Sequence, residues 1–181
     1  MIPLLTNEQW QAMEDCLEIK RLKKGEHIIK QGEVCNHVYF INEGFARFYV
    51  LADGKEISVG FIGAGEYISS YDSFLTRRPA VENIDVLEDA ELVVLTWEHM
   101  NMLYKKHPVF ETFGRKIAEY LFVWVSERCN SLLLLTPEQR YRRMIENSSQ
   151  LPQQIPQYML ASYIGVTPEH LSRIRKKLAA K

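Results

Sequence analysis

The sequence predicts an α+β chain in three parts: an N-terminal antiparallel β-barrel of jelly-roll type, one long helix, and a small C-terminal helix-turn-helix domain. Three observations lead there. From Arg21 to Thr96 glycines punctuate the chain at short intervals, at Gly25, Gly32, Gly44, Gly54, Gly63 and Gly65, and the runs between them are rich in Val, Ile, Phe and Tyr. After Trp97 the apolar residues recur at helical spacing. The final stretch IPQYMLASYIGVTPEHLSRIRKKL reads as two short helices joined by a tight turn at Gly165-Val166, the second of them basic.

In chain order, Thr6 is placed to cap a short helix reaching Cys16, with Trp10, Met13 and Leu17 on one side. The runs HVYFI, FARFYVL, EISVGFI and ELVVL read as strands. Asp53-Gly54 sits between two of them and signals a two-residue hairpin, because such a turn needs residues that tolerate positive φ. Short strands at even spacing suggest an antiparallel barrel or a jelly roll. Glu98 to Lys106 forms a short helix stopped before Pro108.

From Val109 to Leu135 there is no proline and one glycine, Gly114. Phe110, Phe113, Ile117, Tyr120 and Trp124 recur at alternating spacings of three and four, followed by Leu132 and Leu135. A face this wide needs cover on two sides. The helix is therefore expected to cap the barrel and to pair with a second copy through Phe113, Ile117, Tyr120, Leu121 and Trp124. The alternative is a core helix within one chain. Thr136-Pro137-Glu138 caps a further helix through Glu146, and Ser148 to Pro156 is a polar, proline-bounded linker. The expected domains are residues 1–107, 108–135 and 136–181.

At 181 residues the chain has room for one large domain or a medium one with a small one, and 46% hydrophobic residues support a sizeable core. The net charge of −1 hides an asymmetry: Thr136 to Lys181 holds eight Lys/Arg against three Asp/Glu, and the remainder fourteen against twenty. A basic tail on an acidic body points to a polyanion met by the C-terminal part alone. Cys16, Cys35 and Cys129 lie far apart, without metal or redox spacing, which fits a reducing cytoplasm. The N-terminal MIPLLTNEQW lacks the regions of a secretory signal, and Tyr120 to Val125 is too short to cross a bilayer, so an intracellular protein with no membrane partner is expected.

The last helix carries its own start signal. Thr167 suits the N-cap, Pro168 the first helical position, and Glu169 the positive end of the helix dipole. At about 100° per residue Leu171, Ile174 and Leu178 share one face, with Glu169, Ser172, Arg173 and Lys176 opposite. Leu160, Ala161 and Ile164 form the packing face of the helix before it. This is the pattern of a motif whose second helix enters the DNA major groove. A basic helical hairpin that only packs is the plain alternative.

LKKGEHIIKQGE, VYFINEGFARFY, the hairpin DGKE and the turn GAGE resemble the sensory domain of the Crp/Fnr superfamily of bacterial transcription regulators, and PQYMLASYIGVTPEHLSRIRKKL resembles its DNA-binding domain. The resemblance runs from about residue 20 to 178 and implies a cyclic-nucleotide-binding-like jelly roll, a dimer helix and a DNA-binding tail. In the family's cyclic-nucleotide subset a Gly-Glu pair engages the ribose and a later Arg pairs with the phosphate, chemistry suited to a carboxylate and a guanidinium. In GEYISSYDSFLTRRPAVENI, Ser69 and Ser70 stand at the pair and Ala80 at the Arg, with Arg77 and Arg78 close by. This argues against cyclic AMP and places the chain in a branch that does not use it. A pocket at Ser69, Ser70, Tyr71, Arg77, Arg78 and Ala80 remains for an unidentified effector. Neither an iron–sulfur cluster nor haem has a signature here, since the cysteines are scattered and His27, His37 and His99 form no cluster in sequence.

Arg173 is placed to donate two bonds to guanine, Glu169 to accept from cytosine, and Ser172 to bond a base edge or touch a thymine methyl. These three match the base-reading residues of the family's oxygen-responsive branch. Thr167, Lys176 and Lys177 are expected on phosphates. Pro168 stands where cyclic-AMP-dependent members have Arg, so one base contact is absent. Only Ala179, Ala180 and Lys181 follow Leu178, so the domain is expected to lack a full wing. The implied partners are double-stranded DNA, a second copy of the chain, an effector and, for an activator, RNA polymerase.

A regulator rather than an enzyme is thus expected. One alternative is an effector-sensing barrel that acts through protein contacts. A cupin-type barrel enzyme needs converging His and carboxylate ligands, and no His-x-His occurs.

Overall fold

The computed structural model describes residues 5–147 and 155–179. Residues 148–154 of the expected linker, Ala180 and Lys181, and Met1 to Leu4 lie outside the described residues.

Helix α1 (Asn7–Glu14) starts at Thr6, whose hydroxyl accepts from the Gln9 N–H while the Gln9 side chain accepts from the Thr6 N–H. This reciprocal arrangement satisfies two N-terminal donors at once. The strands are β1 (Leu17–Leu22), β2 (His27–Ile29), β3 (His37–Glu43), β4 (Phe45–Ala52), β5 (Lys55–Gly63), β6 (Tyr67–Ile68), β7 (Asn83–Val86) and β8 (Ala90–Thr96). Helix α2 (Tyr71–Thr76) lies between β6 and β7. After β8 come α3 (Trp97–Lys106), α4 (Val109–Leu134), α5 (Pro137–Asn147), α6 (Gln157–Ile164) and α7 (Pro168–Ala179).

The strands form two four-stranded sheets, ordered β1-β8-β3-β6 and β2-β7-β4-β5, and the pairings of β8 with β1 and β3, of β7 with β2 and β4, and of β3 with β6 are antiparallel. The expectation of a barrel is thereby corrected: among the described residues the sheets are separate, in the two-sheet manner of a jelly roll. The hairpin at Asp53-Gly54 is present, with φ of 50° and 72°, the left-handed values that a two-residue primed turn requires. Helix α2, which the sequence reading omits, has six residues, too few to set up a periodicity.

By contacts the chain divides into two units, Met1–Val50 with Phe61–Leu121, and Leu51–Gly60 with Phe122–Lys181. The cuts fall inside the β4–β5 hairpin and inside α4. In the first unit Ile41, Ile68, Ile84, Val86 and Leu92 are fully buried. In the second, Leu160, Ile164 and Leu171 form the centre, flanked by Tyr141, Met144 and Ile174.

An ion pair is buried in the first unit. Arg47 and Asp85 stand opposite each other in the β4–β7 register, joined by two hydrogen bonds, Nε to Oδ1 at 3.0 Å and Nη2 to Oδ2 at 2.7 Å. Their side chains are 3% and 11% exposed, and the guanidinium lies 4.1 Å from the Tyr49 ring centre. Tyr49 shares a hydrogen bond with His27 at 3.0 Å. Such a pair recovers its desolvation cost only while both partners are present. Replacing Arg47 by Met is expected to cost about 3–5 kcal/mol in urea unfolding, whereas Arg47→Met with Asp85→Leu recovers most of it, because no uncompensated charge is left inside. Equal losses in the single and double variants would show that the pairing is not what the site needs.

Candidate functional site

The C-terminal unit presents α7 as the sequence leads one to expect. Thr167 caps it, accepting from the His170 N–H at 3.3 Å. Leu171 and Ile174 are buried, while Glu169, Arg173 and Lys176 are exposed and Ser172 is half-buried. The Glu169 carboxyl is held below the usual carboxylate range by its own backbone N–H, the Thr167 hydroxyl and then Arg173, so it remains an acceptor at neutral pH.

The turn before α7 depends on Gly165, whose φ of 77° closes α6 in the left-handed conformation. Two arginines from other helices reach this helix end. Arg140 of α5 donates Nε to the Ile164 carbonyl at 2.8 Å and Nη1 to the Leu135 carbonyl at 2.5 Å. Arg128 of α4 donates Nη2 to the Tyr163 carbonyl at 2.7 Å and lies 3.9 Å from the Tyr163 ring centre. Cations at a helix C-terminus complement both the free carbonyls and the dipole. Sequence reasoning missed both residues, since each partner lies more than a helix away along the chain.

It also missed Gln157, which donates Nε2 to the Ser172 hydroxyl at 2.7 Å and to the Pro168 carbonyl at 3.0 Å, fixing the orientation of one expected base-reading group. Several tail cations are engaged inside the unit. Lys177 pairs with Glu138 at 2.5 Å, and Arg175 donates to the Tyr141 hydroxyl at 3.0 Å. Arg173 and Lys176 therefore carry most of the positive charge on the outward face of α7.

Along α4, the expected pairing residues divide. Ile117 is buried and Phe113 half-buried in the first unit's own packing, and the Tyr120 hydroxyl donates to Glu66 at 2.9 Å. Leu121 is half-buried. Trp124 lies on Gly60, where an added Cβ would come within 2.4 Å of its ring. Exposed apolar residues lie further along, at Phe122, Val123, Val125, Leu132, Leu133 and Leu134, and of these Phe122, Val125, Leu132 and Leu133 are spaced to share one side.

In the first unit the residues expected to meet an effector cluster around α2. The Ser69 hydroxyl donates to the His37 carbonyl at 2.9 Å. Ser70 is fully buried, and its hydroxyl has no hydrogen-bond partner among the described residues. Burial raises the Tyr71 phenol above its ordinary value. Ala80 is buried, joined through its backbone to Gly32 and Glu33. Arg77 ends α2 at a φ of 61° and donates to the carbonyls of Cys35 at 2.9 Å and Phe74 at 3.2 Å, and to the Asn36 side chain. Arg78 is exposed beside Thr76. No carboxylate is found at Ser70 and no guanidinium at Ala80, so the charge pattern for a ribose phosphate is not built at those two positions. Among the described residues no group of three or more His, Cys, Asp or Glu side chains is arranged to hold a metal, and no helix is long and apolar enough to cross a membrane.

Residues 19–107 match the cyclic nucleotide-binding domain family. The chain is 31% identical over 84 residues to the cAMP-dependent protein kinase type II regulatory subunit of Drosophila melanogaster, a stretch covering 46% of this chain and 22% of that protein. The fold is that of a Crp/Fnr-family regulator from Eubacterium rectale (TM-score 0.76, 18% identity, 97% of this chain and 84% of that one). It is likewise that of the c-di-GMP-responsive regulator CLP from Xanthomonas campestris (TM-score 0.70, 18% identity, 97% and 92%).

Arg140→Met is expected to destabilise the protein by about 1.5–3 kcal/mol in urea unfolding, through loss of charged hydrogen bonds to partly buried carbonyls. Arg140→Lys should recover little, because an ammonium cannot span two helix ends as the planar fork does. Full recovery by Lys would reduce Arg140 to a point charge.

Proposed function

We propose that the chain is a homodimeric transcription regulator of the Crp/Fnr type, reading an inverted repeat through α7 and gated by an effector of the first unit. The observation that carries this is the presentation of α7. Leu171 and Ile174 anchor it while Glu169, Ser172 and Arg173 stand together on its outer side, Ser172 oriented by Gln157. Arg173 suits guanine O6 and N7, and Glu169 suits cytosine N4. Lys176 suits a phosphate, as does Thr167 at the helix N-terminus. Lys177, paired with Glu138, would have to exchange partners to do the same.

The family match to a cyclic nucleotide-binding domain supports a sensory role for the first unit. With Ser70 and Ala80 in place of the charged contacts, an effector other than cyclic AMP suits the pocket around α2. Such an effector acts only if its affinity differs between the DNA-competent and incompetent states. The exposed stripe at Phe122, Val125, Leu132 and Leu133 suits a parallel helix pair with a second copy. Two recognition helices would then meet half-sites about one helical turn apart.

Selection of bound duplexes from a random pool is expected to enrich an inverted repeat, with effector-free protein or on addition of cell metabolites. Failure under both conditions would sink the reading and favour a sensor acting through protein contacts. On the selected site Arg173→Ala should weaken binding by about 1–3 kcal/mol and relax one G·C position, whereas Lys176→Ala should weaken all sequences alike and lower the salt slope by about one. Phe122→Lys is expected to shift the sedimentation profile from dimer to monomer and to abolish binding to the full repeat. An unchanged dimer would place the interface elsewhere.

A further inference from the structure

We propose that the first unit holds a second ligand site, for a compact, uncharged, partly aromatic molecule, in a cavity between α1, the start of α4 and the sheet β1-β8-β3-β6. The cavity measures about 630 Å³ and is lined almost wholly by apolar side chains. Strand alternation explains where it forms. Ile41 and Leu92 face one side of the sheet and are fully buried, whereas Phe40 and Val93, adjacent in each strand and paired with each other, face the opposite side and are only half-buried. Helices α1 and α4 cover that second side without filling it. The space opens to solvent beside Trp10, so without an occupant its apolar walls stay in contact with water, the condition under which a small apolar molecule gains by binding. Its volume lies within the range of sites that take small molecules.

The walls define the ligand chemistry. Phe40 meets Tyr67 edge-on at 5.3 Å, and Tyr67 meets Phe113 edge-on at 6.3 Å, which gives a connected aromatic wall. Trp10 of α1 also lines the space yet is 54% exposed, a large apolar surface that a bound molecule would cover. Among the described residues no ionisable side chain other than tyrosine lines the cavity, so a phosphate, carboxylate or metal ion would find no partner among them. Tyr67, half-buried, offers one neutral hydroxyl. Burial alone holds that phenol above its ordinary value, which keeps it protonated and able to bond one polar group of the ligand. None of Ser69, Ser70, Tyr71, Arg77, Arg78 and Ala80 lines this cavity, so it is distinct from the effector site expected at those residues. Its occupancy requires nothing of α7, so its test is independent of DNA binding.

The test is titration of the full chain with 1-aminoanthracene, read by the probe's emission and by energy transfer from tryptophan. Saturable binding of one probe per chain is expected. Val93→Trp, which fills the cavity from the sheet, should bind about tenfold more weakly or not at all, because overfilling removes the space the probe needs. Its far-UV circular dichroism and thermal midpoint should match those of the parent. Val109→Trp, which enters from α4, serves the same purpose if Val93→Trp does not fold. Excess cyclic AMP should leave the probe bound. The proposal is overturned by absence of saturable binding, by equal affinity in the cavity-filling variants, by displacement with cyclic AMP, or by loss of binding in Phe122→Lys, which would place the probe on the exposed face of α4.

Discussion

The carbonyls at the end of α6 have to be satisfied at the point where the chain reverses into α7, and the C-terminal unit is organised around that demand. Gly165 supplies the left-handed turn, but the turn alone leaves the Tyr163 and Ile164 carbonyls to be answered from outside the helix. Arg128 answers one from α4 and Arg140 the other from α5. Arg140 also holds the Leu135 carbonyl at the end of α4, so one guanidinium ties three helices to one point. The orientation of α7 follows from this tie, from the burial of Leu171 and Ile174, and from the Gln157 bond to the Pro168 carbonyl. Charge that composition alone would assign to a polyanion is thus partly spent on structure, and the outward face relies on few residues.

The first unit handles charge differently. Its buried ion pair joins neighbouring strands of one sheet, with Tyr49 stacked on Arg47, and so helps to define register as well as to fill space. Around α2, polar groups are small or turned to backbone. Ser69 and Ser73 donate to carbonyls, and the Arg77 guanidinium is folded back against Cys35 and Phe74. Residues 19–107 match the cyclic nucleotide-binding domain family, and within that stretch Ser70 and Ala80 carry no charge for a ribose or a phosphate. Local chemistry differs between the two regions, with small hydroxyls near α2 and aromatic edges beside the cavity at α1 and α4.

Elements governed by nearest neighbours were legible in the sequence by itself. Thr6, Thr136 and Thr167 mark helix starts, and each hydroxyl accepts from an N–H three residues on. Asp53-Gly54 marks the hairpin because only certain residues accept its dihedrals at low cost, and the alternation of Leu171 and Ile174 with Glu169 and Arg173 assigns the faces of α7. What the tertiary structure alone decided involves partners distant in the chain. Two separate sheets and a closed barrel use the same strand pattern, and only the pairing distinguishes them. Phe113, Ile117 and Phe122 share one helix and one residue class, yet the first two are used inside the unit and the third is exposed, because helical period fixes a direction but not what stands opposite. Arg140 looks like any tail cation until Ile164, distant in sequence, is brought to it. The cavity is a space between surfaces, and no residue or spacing encodes a space until the surfaces are packed.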